Sequence, residues 1–154
     1  MDKINKILES NIDGVNIYSL RIIEDERGNI LHILRNDCAY FKKFGEVYCS
    51  FINKGHIKAW KRHKLQTQFF SVPIGNIKLV IYDSRENSPT KKNVFDFNFG
   101  INNYCLVEIP PLVWYGFKSS DNNDALVINC SDLPHDPKES ERLETNSSNI
   151  PYLW

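Results

Sequence analysis

No two cysteines in this 154-residue chain stand close enough to form a CxxC pair. The four, Cys38, Cys49, Cys105 and Cys130, are scattered, so the chain fails the spacing templates of zinc ribbons and dithiol redox centres. Nor does charge of one sign prevail: 19 lysines and arginines face 19 aspartates and glutamates. That balance argues against nucleic acid or an anionic membrane as the main partner, and still allows a local cluster of cations to hold a small anion. No apolar run approaches the ~18 residues of a membrane span. The opening "MDKINKILES" carries no secretory apolar core. Together these absences predict a cytoplasmic protein with reduced, mostly buried thiols. Helix signals are sparse too. Residues 2–9 and Asp37–Phe44 carry amphipathic patterns sufficient for minor helices only. No repeat or low-complexity linker divides the chain, which has the length of a single domain spanning 1–154.

What is abundant is strand pattern. "GNIKLVIYDSR" alternates, with Ile77, Leu79 and Ile81 on one face and Lys78, Val80 and Tyr82 on the other. "GEVYCSFIN", "NYCLVEIP" and "DALVINCS" are similar short runs rich in β-branched and aromatic residues. "VNIYSLRII" and "NILHILR" flank a turn, "EDERGN", where Gly28 and Asn29 tolerate positive φ. The tail from Pro134 is polar and its prolines argue against regular structure. It ends in Ile150, Tyr152 and Trp154, which predicts docking on the body. Many short strands separated by turns indicate an all-β sandwich or barrel whose inward side chains line a cavity.

The stretch "IKAWKRHKLQTQFF" carries the chemistry. As a strand it places Ile57, Ala59, Lys61 and His63 on one face. Its spacing fits the metal-binding frame of cupin barrels: Gly55, five residues, Lys61-Arg62-His63, four residues, Gln68, six residues, Gly75. The residue types do not fit. Lysine replaces one histidine ligand, glutamine replaces the glutamate, and Tyr115 in "IPPLVWYGF" stands where a fourth ligand would be. A cationic lysine repels a divalent ion, and one surviving ligand cannot hold it, so no metal and no other cofactor is expected.

Four pieces in order, "DERGNI", "GHIKAWKRHK", "YDSRENSPT" and "EIPPLVWYGF", resemble the dTDP-4-dehydrorhamnose 3,5-epimerases, a metal-free branch of the cupin superfamily. The resemblance spans roughly residues 15–135, and the tail "IPYLW" looks like that of a short subgroup. It implies a double-stranded β-helix (cupin, jelly-roll) barrel. It further implies a homodimer in which the "DERG" segment reaches toward the neighbour's site, and a nucleotide-linked 4-keto-6-deoxy sugar as substrate. The implied reaction is proton removal beside the ketone, an enolate, and proton return, in surface-polysaccharide biosynthesis.

The resemblance also shows departures. The family's catalytic histidine aligns with Lys61, a second pocket histidine with Tyr115, and the tyrosine acid falls near Ile128. A phosphate-contacting lysine aligns with Gln68 and a nucleotide-contacting glutamate with His32. Lys61, Tyr115 and His63 are therefore the candidate catalytic residues. Lys61 is a base, a cation beside the enolate, or a solvent-ended lysine. Tyr115 is a replacement acid or packing. His63 is a base or a pocket-lining histidine. Arg27, Lys58, Gln68 and Arg85 are the candidate substrate-binding residues, with a turn-bracing role open for Arg85. Trp60 and Trp114 either stack on a ligand or belong to the core. Two alternatives stand beside epimerisation: a 3,4-ketoisomerase, since "KRHKLQ" resembles that family's strand, and a non-catalytic sugar-nucleotide binder or partner subunit.

Overall fold

The computed structural model describes residues 6–154, and among these the chain is all-β. Six strands form one antiparallel sheet: β1 (Lys6–Glu9), β2 (Asn16–Ser19), β5 (Glu46–Ile52), β7 (Gln68–Ile74), β10 (Cys105–Ile109) and β12 (Ala125–Ser131). Their spatial order is β1-β2-β10-β7-β12-β5. A second sheet comprises β6 (Ile57–His63), β8 (Asn76–Tyr82), β9 (Val94–Gly100), β11 (Trp114–Ser119) and β13 (Ser140–Arg142), ordered β13-β6-β11-β8-β9. A small hairpin joins β3 (Ile22–Ile23) to β4 (Ile30–Leu31).

The two sheets face each other as a jelly roll, and the alternation of each strand decides what lies between them. Ile77, Leu79 and Ile81 of β8 enter the core between the sheets with Ile17, Val72, Val107 and Val127. Val80 and Tyr82 turn outward and pack with Trp60, Trp114 and Ile150. Each such apolar side chain removed from water stabilises the fold by about 1.5–3 kcal/mol. On the other outer face Leu20, Ile33, Leu34 and Tyr40 cover Phe69 and Leu106. Every residue of β10 is consequently buried.

Local signals lost to tertiary ones in four places. Residues 6–9 are a strand paired with β2, because a single amphipathic turn is too short to hold itself in water; residues 1–5 of that expected helix lie outside the described residues. The expected helix at Asp37–Phe44 is a loop: Tyr40 stacks on Tyr18 at 3.9 Å between centroids, while Lys42 reaches back to Thr67 and Glu108. Two thiols are buried rather than most of them; Cys49 is exposed and Cys38 half-buried, and all four are free. Gly28 takes positive φ (137°), whereas Asn29 contributes its side-chain oxygen to the Asp25 amide.

The tail holds a further departure. Residues 140–142 form β13 on the edge of β6, pairing Ser140 with His63, Glu141 with Arg62 and Arg142 with Lys61. Beyond it, Tyr152 and Trp154 lie against Trp60.

Candidate active site

A cavity of about 780 Å³ opens between the sheets. One wall comes from β6, β11 and β13, and supplies Lys58, Lys61, Tyr115, Phe117 and Arg142. The facing wall comes from β5, β7 and β12, and supplies Tyr48, Ser50, Phe70, Val127 and Asn129.

A bulge decides which residues of β6 look inward. Tyr115 pairs with Lys61 and Phe117 with Lys58, so Ala59 and Trp60 together oppose the single residue Gly116. Cross-strand partners share a face. Lys58 and Lys61 therefore join Tyr115 and Phe117 on the cavity side, and the expected simple alternation of Ile57, Ala59, Lys61 and His63 is corrected: the bulge brings in Lys58, Ile57 and Ala59 still border the cavity, and His63 lies behind its wall. Glycine at 116 is what permits the bulge: a Cβ there would stand 2.4 Å from the Ala59 Cβ. Trp60 and Trp114 both turn outward, where the Arg62 guanidinium lies 4.6 Å from the Trp114 ring. Both belong to the outer cluster, and of the two only Trp60 also borders the cavity.

Behind the cavity wall is an arrangement sequence reasoning did not find. His63 Nδ1 lies 2.7 Å from Glu139 Oε2, and His63 Nε2 lies 3.1 Å from the Tyr115 hydroxyl. All three side chains are buried. The Leu65 and Gln66 amides donate to Glu139 Oε1, which fixes it as an acceptor-only carboxylate. Nδ1 must then carry the imidazole hydrogen, and Nε2 accepts from the Tyr115 phenol. Burial pulls the His63 pKa below its ordinary value against the opposing pull of Glu139, so the neutral ring is favoured. Burial would raise the Glu139 carboxyl, but the hydrogen bonds from His63, Leu65 and Gln66 outweigh it and hold it low. Burial, with Tyr48 and Glu139 nearby, pushes the Tyr115 phenol well above its ordinary range. Lys61 is lowered by burial and then by the Arg142 charge, with Glu139 and Glu46 opposing.

The facing wall carries its own phenol. Asn129 Nδ2 donates to the Tyr48 hydroxyl at 2.8 Å, so the phenolic hydrogen remains free for the cavity. Ile128, by contrast, packs on the outer face of its sheet.

The other expected residues are dispersed. Lys58 lines the cavity and donates to Ser50 Oγ at 2.9 Å and to the Phe51 carbonyl. Gln68 is buried behind the wall, bonded to Gln66 and Asn129; it reaches the cavity only through Asn129. Arg85 binds Asp83 through Nε and Nη2, both at 2.8 Å, and the Asp13 carbonyl at 2.7 Å. It braces a loop and is not on the cavity wall. Arg27, at the tip of the β3–β4 hairpin, is exposed and paired with Asp25. Among the described residues no cluster of three or more histidine, cysteine, aspartate or glutamate side chains is arranged to hold a metal ion, and both His63 nitrogens are already engaged by protein.

The sequence profile of the dTDP-4-dehydrorhamnose 3,5-epimerases matches residues 9–154. The chain belongs to that family. A dTDP sugar isomerase from Desulfovibrio desulfuricans has the same architecture, with a TM-score of 0.93 and 44% identity over 96% of this chain and 94% of that one. A probable low-salt glycan biosynthesis epimerase of Haloferax volcanii is 35% identical over 77% of this chain and 78% of its own length. A dTDP-4-dehydrorhamnose 3,5-epimerase of Bacillus anthracis shares the fold at 20% identity, with a TM-score of 0.84 over 97% of this chain and 89% of that one. Within the dTDP-4-dehydrorhamnose 3,5-epimerase family, this cavity is built with Lys61, Tyr115 and Tyr48. The residues missed in the sequence, Glu139, Arg142, Tyr48 and Asn129, come from the tail and from strands whose inward faces only the register reveals.

Proposed function

We propose that this protein is a nucleotide-sugar epimerase acting on an NDP-linked 4-keto-6-deoxy sugar in polysaccharide biosynthesis. The observation that carries the proposal is a cavity with Lys61 and Tyr115 on one wall and a second phenol, Tyr48, on the other. A ketone at C4 acidifies the hydrogens on C3 and C5. Epimerisation needs a proton to leave one face of the sugar and another to enter from the opposite face. Groups on two facing walls suit that demand. The Lys61 ammonium stands where it stabilises the enolate oxygen, Tyr115 transfers the proton on its own wall, and Tyr48 serves the other. Asn129 holds the Tyr48 hydroxyl in place from the same wall.

Lys58 and Arg142 are the proposed diphosphate ligands. The fold relative from Bacillus anthracis holds TDP and pyrophosphate, and cations are what such a group requires. Arg142→Ala is expected to weaken dTDP binding about 10- to 100-fold, the worth of one charge-assisted hydrogen bond. Calorimetric titration reads this directly, and an unchanged affinity places the diphosphate elsewhere.

A homodimer is part of the same proposal. Strand β5 is a sheet edge; Val47 and Phe51 on it and Phe44 just before it are exposed at 52%, 64% and 72%, large apolar side chains of the kind that interfaces cover. Sedimentation equilibrium should return twice the chain mass, with a monomer arguing against it. Arg27, on its exposed hairpin, is proposed to approach the partner's cavity.

The deciding experiment is incubation with dTDP-4-keto-6-deoxyglucose in heavy water, followed by mass spectrometry and NMR. Deuterium entering at C3 or C5 faster than in the protein-free control, with inversion there, supports the proposal. Migration of the carbonyl identifies a ketoisomerase. Binding without exchange, for this and other NDP-keto sugars, reduces the protein to a sugar-nucleotide binder.

A further inference from the structure

We infer that Tyr115 is the base of this site, primed by a proton relay through His63 to Glu139; the inference rests on the enolate chemistry proposed above and assigns its direction. The geometry is directional. Glu139 Oε1 is held by two backbone amides, so Oε2 faces His63 Nδ1 as an acceptor. The imidazole therefore presents a bare Nε2 to the Tyr115 hydroxyl. A phenol whose own hydrogen already points at a vacant lone pair can lose that hydrogen as its oxygen gains another. It cannot be recharged from that neighbour, because neutral His63 has no Nε2 hydrogen to give. The arrangement thus favours proton acceptance by Tyr115 over donation, by the logic of a carboxylate–imidazole–hydroxyl triad.

The step balances as follows. The C–H bond beside the ketone breaks and its electron pair moves onto the carbonyl oxygen beside Lys61. The proton bonds to Tyr115 Oη while the phenolic hydrogen passes to His63 Nε2. The resulting imidazolium stays paired with Glu139. A proton from Tyr48 or from water then bonds to the carbon on the other face. His63 afterwards returns its extra proton through Tyr115 to solvent, and Tyr48 is reprotonated from solvent. Glu139 and His63 do not touch the sugar; they are positioning residues. The charged or titratable groups facing this relay are Lys61 on β6, Arg142 on β13, Tyr48 on β5, and His135 in the tail.

The test is deuterium exchange into dTDP-4-keto-6-deoxyglucose as a function of pH, with dTDP binding measured on each variant to show an intact fold. In wild type the rate is expected to fall in acid as His63 takes a proton and loses its acceptor. Glu139→Gln retains an oxygen for Leu65 and Gln66 but presents an amide N–H to Nδ1. The imidazole hydrogen is thereby forced onto Nε2, and the phenol loses its acceptor. The corresponding exchange in serine proteases costs about 10⁴-fold by fixing the wrong tautomer. A loss of at least about 10²-fold, with the acid limb moved or abolished and dTDP affinity retained, is the expected result. His63→Gln should behave alike, and Tyr115→Phe should abolish exchange. Exchange at the wild-type rate with the wild-type acid limb in Glu139→Gln and His63→Gln overturns the relay while leaving the epimerase proposal standing. So does exchange that survives in Tyr115→Phe. A wild-type protein that binds the keto sugar and never exchanges it overturns both, so the two failures are distinguishable.

Discussion

Replacing Lys61 with methionine will lower the rate of deuterium exchange by about 10²–10³-fold, the cost of removing one preorganised donor from a developing oxyanion. Methionine keeps the unbranched stem and most of the volume, so packing beside Tyr115 and Phe70 is preserved. Only the ammonium goes. Lys61 is half-buried on the cavity wall, with Arg142 across the strand pair, and the other lysine on that wall, Lys58, is anchored to Ser50 and the Phe51 carbonyl, with one ammonium hydrogen left for the diphosphate. Nucleotide affinity should change little, because Lys58 and Arg142 remain. A second readout separates this role from a structural one. The Lys61 charge helps hold the His63 pKa down; without it His63 takes a proton more readily, and the acid limb of the exchange profile moves to higher pH. Exchange at the wild-type rate in Lys61→Met would mean that the enolate oxygen is stabilised by another group.

The fold was legible where alternation is strict. Ile77, Leu79 and Ile81 face the core, and so do Val113, Tyr115 and Phe117, because a period of two leaves a half-buried strand no other choice. Family membership and the Lys61–His63 pair were legible for a different reason: both are local patterns in the chain. What stayed hidden was non-local. The β6 bulge is set by Gly116, more than fifty residues downstream in the sequence. Glu139 meets His63 across 76 residues from a tail whose prolines suggested irregular chain. Yet Pro134 and Pro137 stop before the three-residue strand, and Pro151 follows it. Tyr48 sat inside a recognised strand, but an edge strand exposed on one face gives no sequence sign of which face is inside. The two arginines carry a lesson of the opposite kind. Arg27 and Arg85 each have an aspartate two residues earlier, Asp25 and Asp83, and each folds back onto it. That local pairing was readable, and it outranks a distant phosphate when the carboxylate is already in reach.

The Asp83 cluster gives the second large effect, on stability instead of chemistry. The Asp83 carboxylate is wholly buried. It accepts from the Arg85 amide and guanidinium and from the Ser88 and Thr90 hydroxyls at 2.6–3.1 Å. Arg85 extends the cluster to the Asp13 carbonyl, tying the loop after β8 to the turn before β2. Removing the carboxylate strands a guanidinium and two hydroxyls in a largely dry site. Breaking a buried pair from one side costs about 3–5 kcal/mol, so Asp83→Ala should lower Tm by roughly 6–20 °C. Burial alone would raise the carboxyl, but the hydrogen bonds from Arg85, Ser88 and Thr90 outweigh it and hold it well below its ordinary 3.8. A depressed native pKa means the unfolded chain binds the proton first. The stabilisation is therefore complete above about pH 4 and is lost as the pH falls from there through the native value. Asp83→Asn should flatten that acid limb as well as lower Tm. Arg85→Ala should cost stability while leaving dTDP affinity unchanged. A variant that instead kept its Tm and lost the nucleotide would return Arg85 to the binding site and remove it from the brace.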